Sequence, residues 1–186
     1  MKPTGKTATV LMSGGIDSAA CAYLLRSQGL QVGAIFVDFG QAAAVAEAEA
    51  VIKVTTHLAI PLRKLVVRGP QAFGAGELTG RNAFLVFAAL FFSGETSSLI
   101  NLGIHSGTPY YDCSPSFLSS INRLVAEHTD GRVSVTAPFV DWTKKQIYEY
   151  FLTTDIPLES TYSCEAGTNP VCGLCGSCRD RRALGC

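Results

Sequence analysis

The chain has 186 residues, which is enough for one domain that buries about 70% of its unfolded surface. Its 15 Lys and Arg residues balance its 15 Asp and Glu residues, which excludes the large positive charge typical of nucleic-acid-binding proteins. The longest apolar run, residues 83–92, is too short to span a bilayer, and no signal-peptide-like segment precedes the first predicted strand. We therefore expect a cytoplasmic protein with no nucleic-acid partner and no membrane partner.

The first predicted element is a strand over residues 7–12, followed by the sequence SGGIDS at 13–18 and a helix over 17–28. Two glycines at this junction let the backbone turn tightly and approach a ligand closely. The loop amides and the helix N-terminus then face one point, which predicts an anion-binding site. Ser13 and Ser18 add hydroxyl groups, and Asp17 either caps the helix or helps to hold Mg²⁺. No Gly-Lys-Ser/Thr follows, so this is not a Walker loop.

Strands and helices alternate along the rest of the chain. The patterns predict strands over 31–39, 62–68, 98–104 and 133–137, and helices over 41–60, 82–92, 116–128 and 143–153, the last capped by Thr143 or Asp141. This order predicts one α/β domain over residues 1–186, with a doubly wound parallel sheet of about five strands. The loops at 13–18, 69–81 and 105–115 all follow strands, so we expect them to converge on one pocket.

Four of the seven cysteines lie close together in the tail, residues 160–186: Cys164, Cys172, Cys175 and Cys178. Cys-x2-Cys spacing without histidine fits a closed structural zinc site. An iron–sulfur cluster is the main alternative, and the absence of the usual Cys-Pro argues against it. Of the other cysteines, Cys21 is predicted to lie in the core. Cys113 is predicted to be a buried structural residue, with thiol chemistry in the pocket as its alternative.

The loop at 13–18 resembles the SGGxDS loop of the PP-loop ATP pyrophosphatases, which bind ATP and adenylate a substrate oxygen. Loop and tail together resemble the 7-cyano-7-deazaguanine synthases of the queuosine pathway, a branch of that superfamily. The similarity covers nearly the whole chain, and its anchors are SGGIDS (13–18), FGQ (39–41), RNAF (81–84), YYDCSPSF (110–117), APFVDWTK (137–144) and YSCEAGTNPVCGLCGSCRDR (162–181). It implies an adenine nucleotide alpha hydrolase-like fold.

The resemblance also implies roles for individual residues. It assigns the binding of ATP, with Mg²⁺, to Met12, Ser13, Gly14, Gly15, Asp17 and Ser18. The catalytic candidates are Arg81, Asp112 and Lys144, and the substrate-binding candidates are Phe39, Gln41, Asp112 and Tyr162. Several have structural alternatives: Arg81 as a surface residue that caps a loop, Asp112 as a helix N-cap, Lys144 as a solvated lysine, and Phe39 and Tyr162 as core aromatics.

The resemblance implies an ATP-dependent carbon–nitrogen ligase. In this family ATP activates the carboxylate of 7-carboxy-7-deazaguanine, ammonia attacks to give an amide, and a second activation dehydrates the amide to the nitrile. This sequence departs from the family pattern: alanines at 42–44 replace the usual Arg-His, Tyr162 replaces a Trp, and residues 106–108 replace an Asp-Tyr pair. The alternative is a related ligase that joins the activated acid to another amine, for example on a partner protein in a bacterial defence system.

Two other classes of protein are weighed against this interpretation. A PP-loop tRNA sulfurtransferase or amidotransferase normally adds an RNA-binding module and a basic surface, and this sequence shows neither. A non-catalytic zinc module with a vestigial loop is disfavoured by the intact sequence at 13–18. The low charge and the apolar helix at 82–92 predict a homodimer.

Overall fold

All strands in the described part of the chain join one parallel sheet, in the order β3-β2-β1-β4-β5. The structure is a computed structural model that describes residues 5–69, 73–93, 97–105 and 107–186. Its strands are β1 (Thr7–Leu11), β2 (Gln31–Asp38), β3 (Leu62–Val66), β4 (Leu99–Leu102) and β5 (Ser134–Thr136). The predicted parallel sheet of five strands is confirmed. The chain moves outward from β1 to β3 and then crosses to the other side, so the topological switch point lies between β1 and β4.

Helices cover both faces of this sheet. In the described residues they are α1 (Ile16–Ser27), α2 (Ala44–His57), α3 (Arg81–Ser93), α4 (Pro115–His128), α5 (Lys144–Phe151) and α6 (Gly176–Leu184). One hydrophobic cluster joins the sheet to α1, α2 and α5, and a second joins it to α3 and α4. The fold is therefore the doubly wound α/β architecture that the alternating pattern predicts.

The sequence of the central strand explains why both faces are covered. Successive side chains of a strand point to opposite faces, and Val10 lies in one cluster whereas Leu11 lies in the other. The edge strand β3 differs because its Arg63 and Lys64 are exposed. Charged side chains on an edge oppose pairing with another sheet.

Several element boundaries differ from the predictions. Helix α2 begins at Ala44 rather than 41, because Gln41 forms a β-bridge with Phe73. It ends at His57 rather than 60, and Ala59 takes a φ of 50° just beyond it. The tail helix α6 was not predicted, because its sequence GSCRDRRAL has no apolar stripe. Thr143 forms a capping box with Gln146, which confirms Thr143 rather than Asp141 as the cap of α5.

The structure also tests the predicted burial of two cysteines and the expectation about membrane-spanning helices. Cys21 is fully buried in the first cluster, and Cys113 is buried in the second, as predicted. Within the described residues, none of the helices combines the length and the apolar character needed to cross a bilayer. Part of the predicted loop at 69–81, namely residues 70–72, lies outside the described residues, as does Ser106.

Candidate active site

The loop after β1 is closed by its own two serines. The Ser18 hydroxyl donates to the Gly15 carbonyl at 3.1 Å, and the Ser13 amide donates to the Ser18 hydroxyl at 3.3 Å. Ser18 is buried, whereas Ser13 is exposed at the surface of the loop. Helix α1 follows directly, with Gly15 as its N-cap, so of the two alternatives for Asp17 the helix cap is wrong. The loop therefore presents a helix N-terminus and the Ser13 hydroxyl at the carboxyl end of β1.

Close packing explains the glycines around this loop. Gly14 has a φ of +78°, and a Cβ at this position would lie 2.8 Å from the Ala50 side chain on α2. Gly103, just after β4, passes so close to the loop that its Cβ would lie 2.8 Å from the amide nitrogen of Ser18. Both positions exclude any larger residue without movement of the backbone. The loop thus fits tightly between α2 and the end of β4.

Asp17 forms an ion pair with Lys144 at the mouth of the loop. The Lys144 ammonium donates to the two carboxylate oxygens of Asp17 at 2.7 and 2.5 Å. Their side chains keep 26% and 20% of their surface exposed, so the pair is only partly shielded from water. The alternative of a free, solvated Lys144 is therefore wrong. The carboxylate also faces the buried His105, whose Nε2 lies 4.0 Å from Oδ2.

Asp112 lies where α3 begins, against Asn82, the residue that follows Arg81. The Asp112 carboxylate accepts the amide of Asn82 at 3.2 Å, and the Asn82 side chain donates back to the Asp112 carbonyl at 2.9 Å. Asp112 does not cap α4, whose N-cap is Ser114, so that alternative is wrong.

The surroundings of Glu47 on α2 indicate where Arg81 lies. Burial raises the pKa of Glu47, and the hydrogen bond from Gln41 and the positive charge of Arg81 oppose the shift. Arg81 therefore lies within electrostatic reach of α2.

The candidates Phe39, Gln41 and Tyr162 are all partly buried. Phe39 packs edge-to-face against Phe73 at 5.5 Å. Gln41 orders the loop after β2: its Oε1 accepts the Phe39 amide at 2.9 Å, and its Nε2 donates to Glu47 at 2.8 Å. Tyr162 contacts the loop at 13–18 through its backbone, because its amide donates to the Gly14 carbonyl at 2.9 Å.

The tail brings its four cysteines together. The sulfurs of Cys164, Cys172, Cys175 and Cys178 all lie within 4.8 Å of one another. Backbone amides point at them: Cys172 donates to Cys164 at 3.3 Å, and Leu174 and Cys175 both donate to Cys172 at 3.4 Å. Such N–H···S contacts stabilise thiolates, the form in which cysteine binds metals. The predicted metal-binding geometry of the tail is confirmed.

The tail also holds the neighbouring loops through two residues that the sequence analysis missed. The Glu165 carboxylate accepts the amide of Gly76 at 3.0 Å and the amide of Ser177, at the start of α6, at 2.9 Å. Gly167, with a φ of +69°, lies so close to the chain after β2 that a Cβ there would collide with the Ala42 carbonyl oxygen. These contacts join the four-cysteine cluster to the loops that precede α2 and α3.

A parallel α/β sheet with an SGGIDS loop at its switch point defines a PP-loop nucleotide-binding protein. The sequence profile described as "Queuosine biosynthesis protein QueC" matches residues 7–83 and 77–184. The chain belongs to this family. It is accordingly an ATP-dependent ligase-type enzyme with a role in queuosine biosynthesis.

Individual relatives agree with this assignment. A 7-cyano-7-deazaguanine synthase from Koribacter versatilis is 32% identical over 94% of this chain and 86% of its own length. The synthase from Halobacterium salinarum is 30% identical over 96% of this chain and 90% of its own.

Among solved structures, the U34-tRNA thiolase NcsA from Methanococcus maripaludis, with its [4Fe-4S] cluster, superposes with a TM-score of 0.57 at 13% identity. The alignment covers 97% of this chain and 73% of the thiolase. A 4-thiouridine synthetase in complex with RNA and ATP gives 0.56 at 17% identity, over 86% of this chain and 43% of the synthetase. At these identities the two structures support the fold alone.

Proposed function

We propose that this enzyme uses ATP to convert 7-carboxy-7-deazaguanine and ammonia into 7-cyano-7-deazaguanine. A carboxylate oxygen attacks the α-phosphorus of ATP and releases pyrophosphate, and ammonia then displaces AMP to give the amide. A second ATP activates the amide oxygen, and loss of AMP leaves the nitrile. The observation that carries this proposal is the position of the loop at 13–18, with Asp17 and Lys144, at the switch point of the sheet. The chain also aligns along nearly its whole length with synthases of this name.

For ATP, we propose that the loop residues Ser13, Gly14, Gly15 and Ser18 bind the phosphates and that Asp17 holds Mg²⁺. Met12 is buried, and its amide donates to the Ile35 carbonyl at 2.9 Å, so its contribution is to anchor the loop on β2. Lys144 would leave Asp17 for the phosphates when nucleotide binds. Its ammonium would neutralise the charge that develops on the leaving pyrophosphate.

For the acid substrate, we propose that Arg81 binds the carboxylate, because guanidinium matches carboxylate geometry with two parallel hydrogen bonds. Asp112 would accept hydrogen bonds from the amino edge of the base, with the carboxylate oxygen that Asn82 does not occupy. Phe39 and Tyr162 would provide the apolar surfaces against which the planar base stacks. Gln41 would act by ordering the chain that carries Phe39.

We propose Zn²⁺ as the metal of the four-cysteine cluster. A tetrahedral ion with Zn–S bonds of about 2.3 Å separates its sulfurs by about 3.8 Å. The sulfurs of Cys172 and Cys178 are 3.9 Å apart, and no pair in the cluster exceeds 4.8 Å. A four-iron cluster would hold its cysteines farther apart, because each sulfur binds a different iron at the corner of a cube. This spacing favours a single ion.

We further propose that residues 1–186 act as one cytoplasmic domain that forms a homodimer through α3. Phe91 is 80% exposed on this helix, and Phe92 is exposed beside it. A second subunit would cover this apolar surface. We expect light scattering at micromolar concentration to give the mass of a dimer, and Phe91→Glu to shift that mass toward the monomer. A wild-type protein with monomer mass would contradict the proposed dimer.

The experiment that tests the function is mass spectrometry of reactions with ATP and 7-carboxy-7-deazaguanine, with and without ammonium. We expect the nitrile only when ammonium is present, with two molecules of AMP for each nitrile, because each activation consumes one ATP. Amide accumulation with one AMP per amide would show that the second activation is missing. A mass increase on another amine or on a co-purifying protein would favour the conjugating ligase. An enzyme that consumes no acid would contradict both functions.

A further inference from the structure

His105 is a buried titratable residue to which the proposed mechanism gives no role. It lies three residues beyond the end of β4, on the loop that follows the switch-point strand, and only 6% of its surface is exposed. Its neighbours are charged groups from three helices: Asp17 of α1, Lys144 of α5 and Asp180 of α6. A buried ring beside the proposed Mg²⁺ ligand calls for a physical reason.

The hydrogen bonds of His105 define its tautomer. Its Nδ1 accepts the amide of Gly107 at 3.1 Å, so this nitrogen carries a lone pair and the ring proton lies on Nε2. The loop wraps closely around the ring, since a Cβ on Gly107 would lie 2.8 Å from Nδ1. The Nε2–H group is left on the side of Asp17, at 4.0 Å from its Oδ2.

Burial lowers the pKa of His105, and the ammonium of Lys144 lowers it further, against the opposing effects of Asp17 and Asp180. A neutral N–H group can orient a carboxylate without cancelling its negative charge. An imidazolium in the same place would compete with Mg²⁺ for Asp17.

We propose that His105 is a positioning residue that holds Asp17 through Nε2–H when Lys144 moves to the nucleotide phosphates. In the nucleotide-free structure Lys144 contacts both oxygens of Asp17, so the carboxylate is already fixed. Departure of Lys144 removes that partner just when Asp17 must face Mg²⁺. A shift of about 1 Å brings Nε2 into hydrogen-bond distance of Oδ2. This inference rests on the proposed roles of Asp17 and Lys144 in ATP binding.

The test compares two substitutions that keep different nitrogens of the ring. His105→Gln retains an N–H group near the place of Nε2, whereas His105→Asn reaches only the place of Nδ1. We expect His105→Asn to raise the Mg²⁺ concentration for half-maximal AMP formation about tenfold, as loss of a group that orients a metal ligand typically does. The KM for the acid substrate stays unchanged, and His105→Gln restores most of the Mg²⁺ affinity. The control is His57→Gln, because His57 pairs with the exposed Asp155 at 3.4 Å on the surface.

A second measurement does not depend on turnover. In ¹⁵N spectra of the wild-type protein, we expect Nε2 of His105 to carry a proton, and Mg²⁺ with a non-hydrolysable ATP analogue to shift that proton downfield. Calorimetry with the same analogue measures nucleotide binding separately. If the enzyme binds the analogue but makes no nitrile, the proposed function fails while this test stands. A lone pair on Nε2 with the proton on Nδ1, or a His105→Asn variant with wild-type Mg²⁺ dependence, would overturn the inference.

Discussion

Replacing Asp17 with Ala, or Lys144 with Met, is expected to reduce ATP-dependent AMP formation by about 10²- to 10³-fold, the usual cost of removing one group that stabilises developing charge. Asp17→Ala removes the proposed Mg²⁺ ligand, and Lys144→Met removes the ammonium that would follow the phosphates. Both side chains are partly exposed, so their ion pair contributes on the order of 1 kcal/mol to the free energy of unfolding. The fold is therefore expected to survive both changes.

The double variant separates a shared role from two independent ones. If Asp17 and Lys144 serve the same activation step, the pair loses little more activity than either single variant, because groups that act as a unit are not additive. The matched control is Lys145→Met on the next residue of α5, whose exposed side chain pairs with Glu149 at 3.7 Å. Pyrophosphate release measures the activity, and circular dichroism checks the fold. A Lys144→Met enzyme as fast as Lys145→Met would contradict the proposed role of Lys144.

The order of elements in this fold could be predicted because its signals are local. Apolar, β-branched runs mark the buried strands, and the glycines at 14 and 15 mark the turn from β1 into α1. The four-cysteine spacing likewise indicated the metal cluster before its geometry was known. Each of these features depends on residues that are close together in the sequence.

The contacts of the site could not be predicted, because they join distant parts of the chain. Lys144 and Asp17 are 127 residues apart, and nothing near either residue indicates the pair. The pairing of Glu165 with Gly76 spans 89 residues and depends on α6, which has no apolar stripe to predict it. The Asp17 cap was wrong for a related reason. The Gly15 backbone begins α1, which leaves the carboxylate to reach across to α5.

Loss of the metal is expected to unfold the tail and to release the loop before α3. Purified enzyme should carry about one zinc per chain. Chelation, or Cys172→Ser, should lower the melting temperature by about 10 °C or more, because several kcal/mol of binding free energy stabilise the folded state. The control is Cys186→Ser, a cysteine of the same tail that lies outside the cluster. A chelated protein with unchanged melting temperature would contradict a structural metal.

A second experiment tests whether the tail orders the loop that leads to Arg81. The Glu165 carboxylate is held between the cluster and α6, and from there it accepts the Gly76 amide at 3.0 Å. Hydrogen bonds to a charged group contribute about 1.5 to 3 kcal/mol, so removing this one should speed hydrogen exchange at Gly76 by about tenfold or more. We expect Glu165→Ala to retain zinc but to show this faster exchange, whereas Glu159→Ala, at an exposed position, should show neither change. Slow exchange at Gly76 in the Glu165→Ala protein would mean that the loop is held by other contacts, and that the tail stabilises the fold without ordering the approach to Arg81.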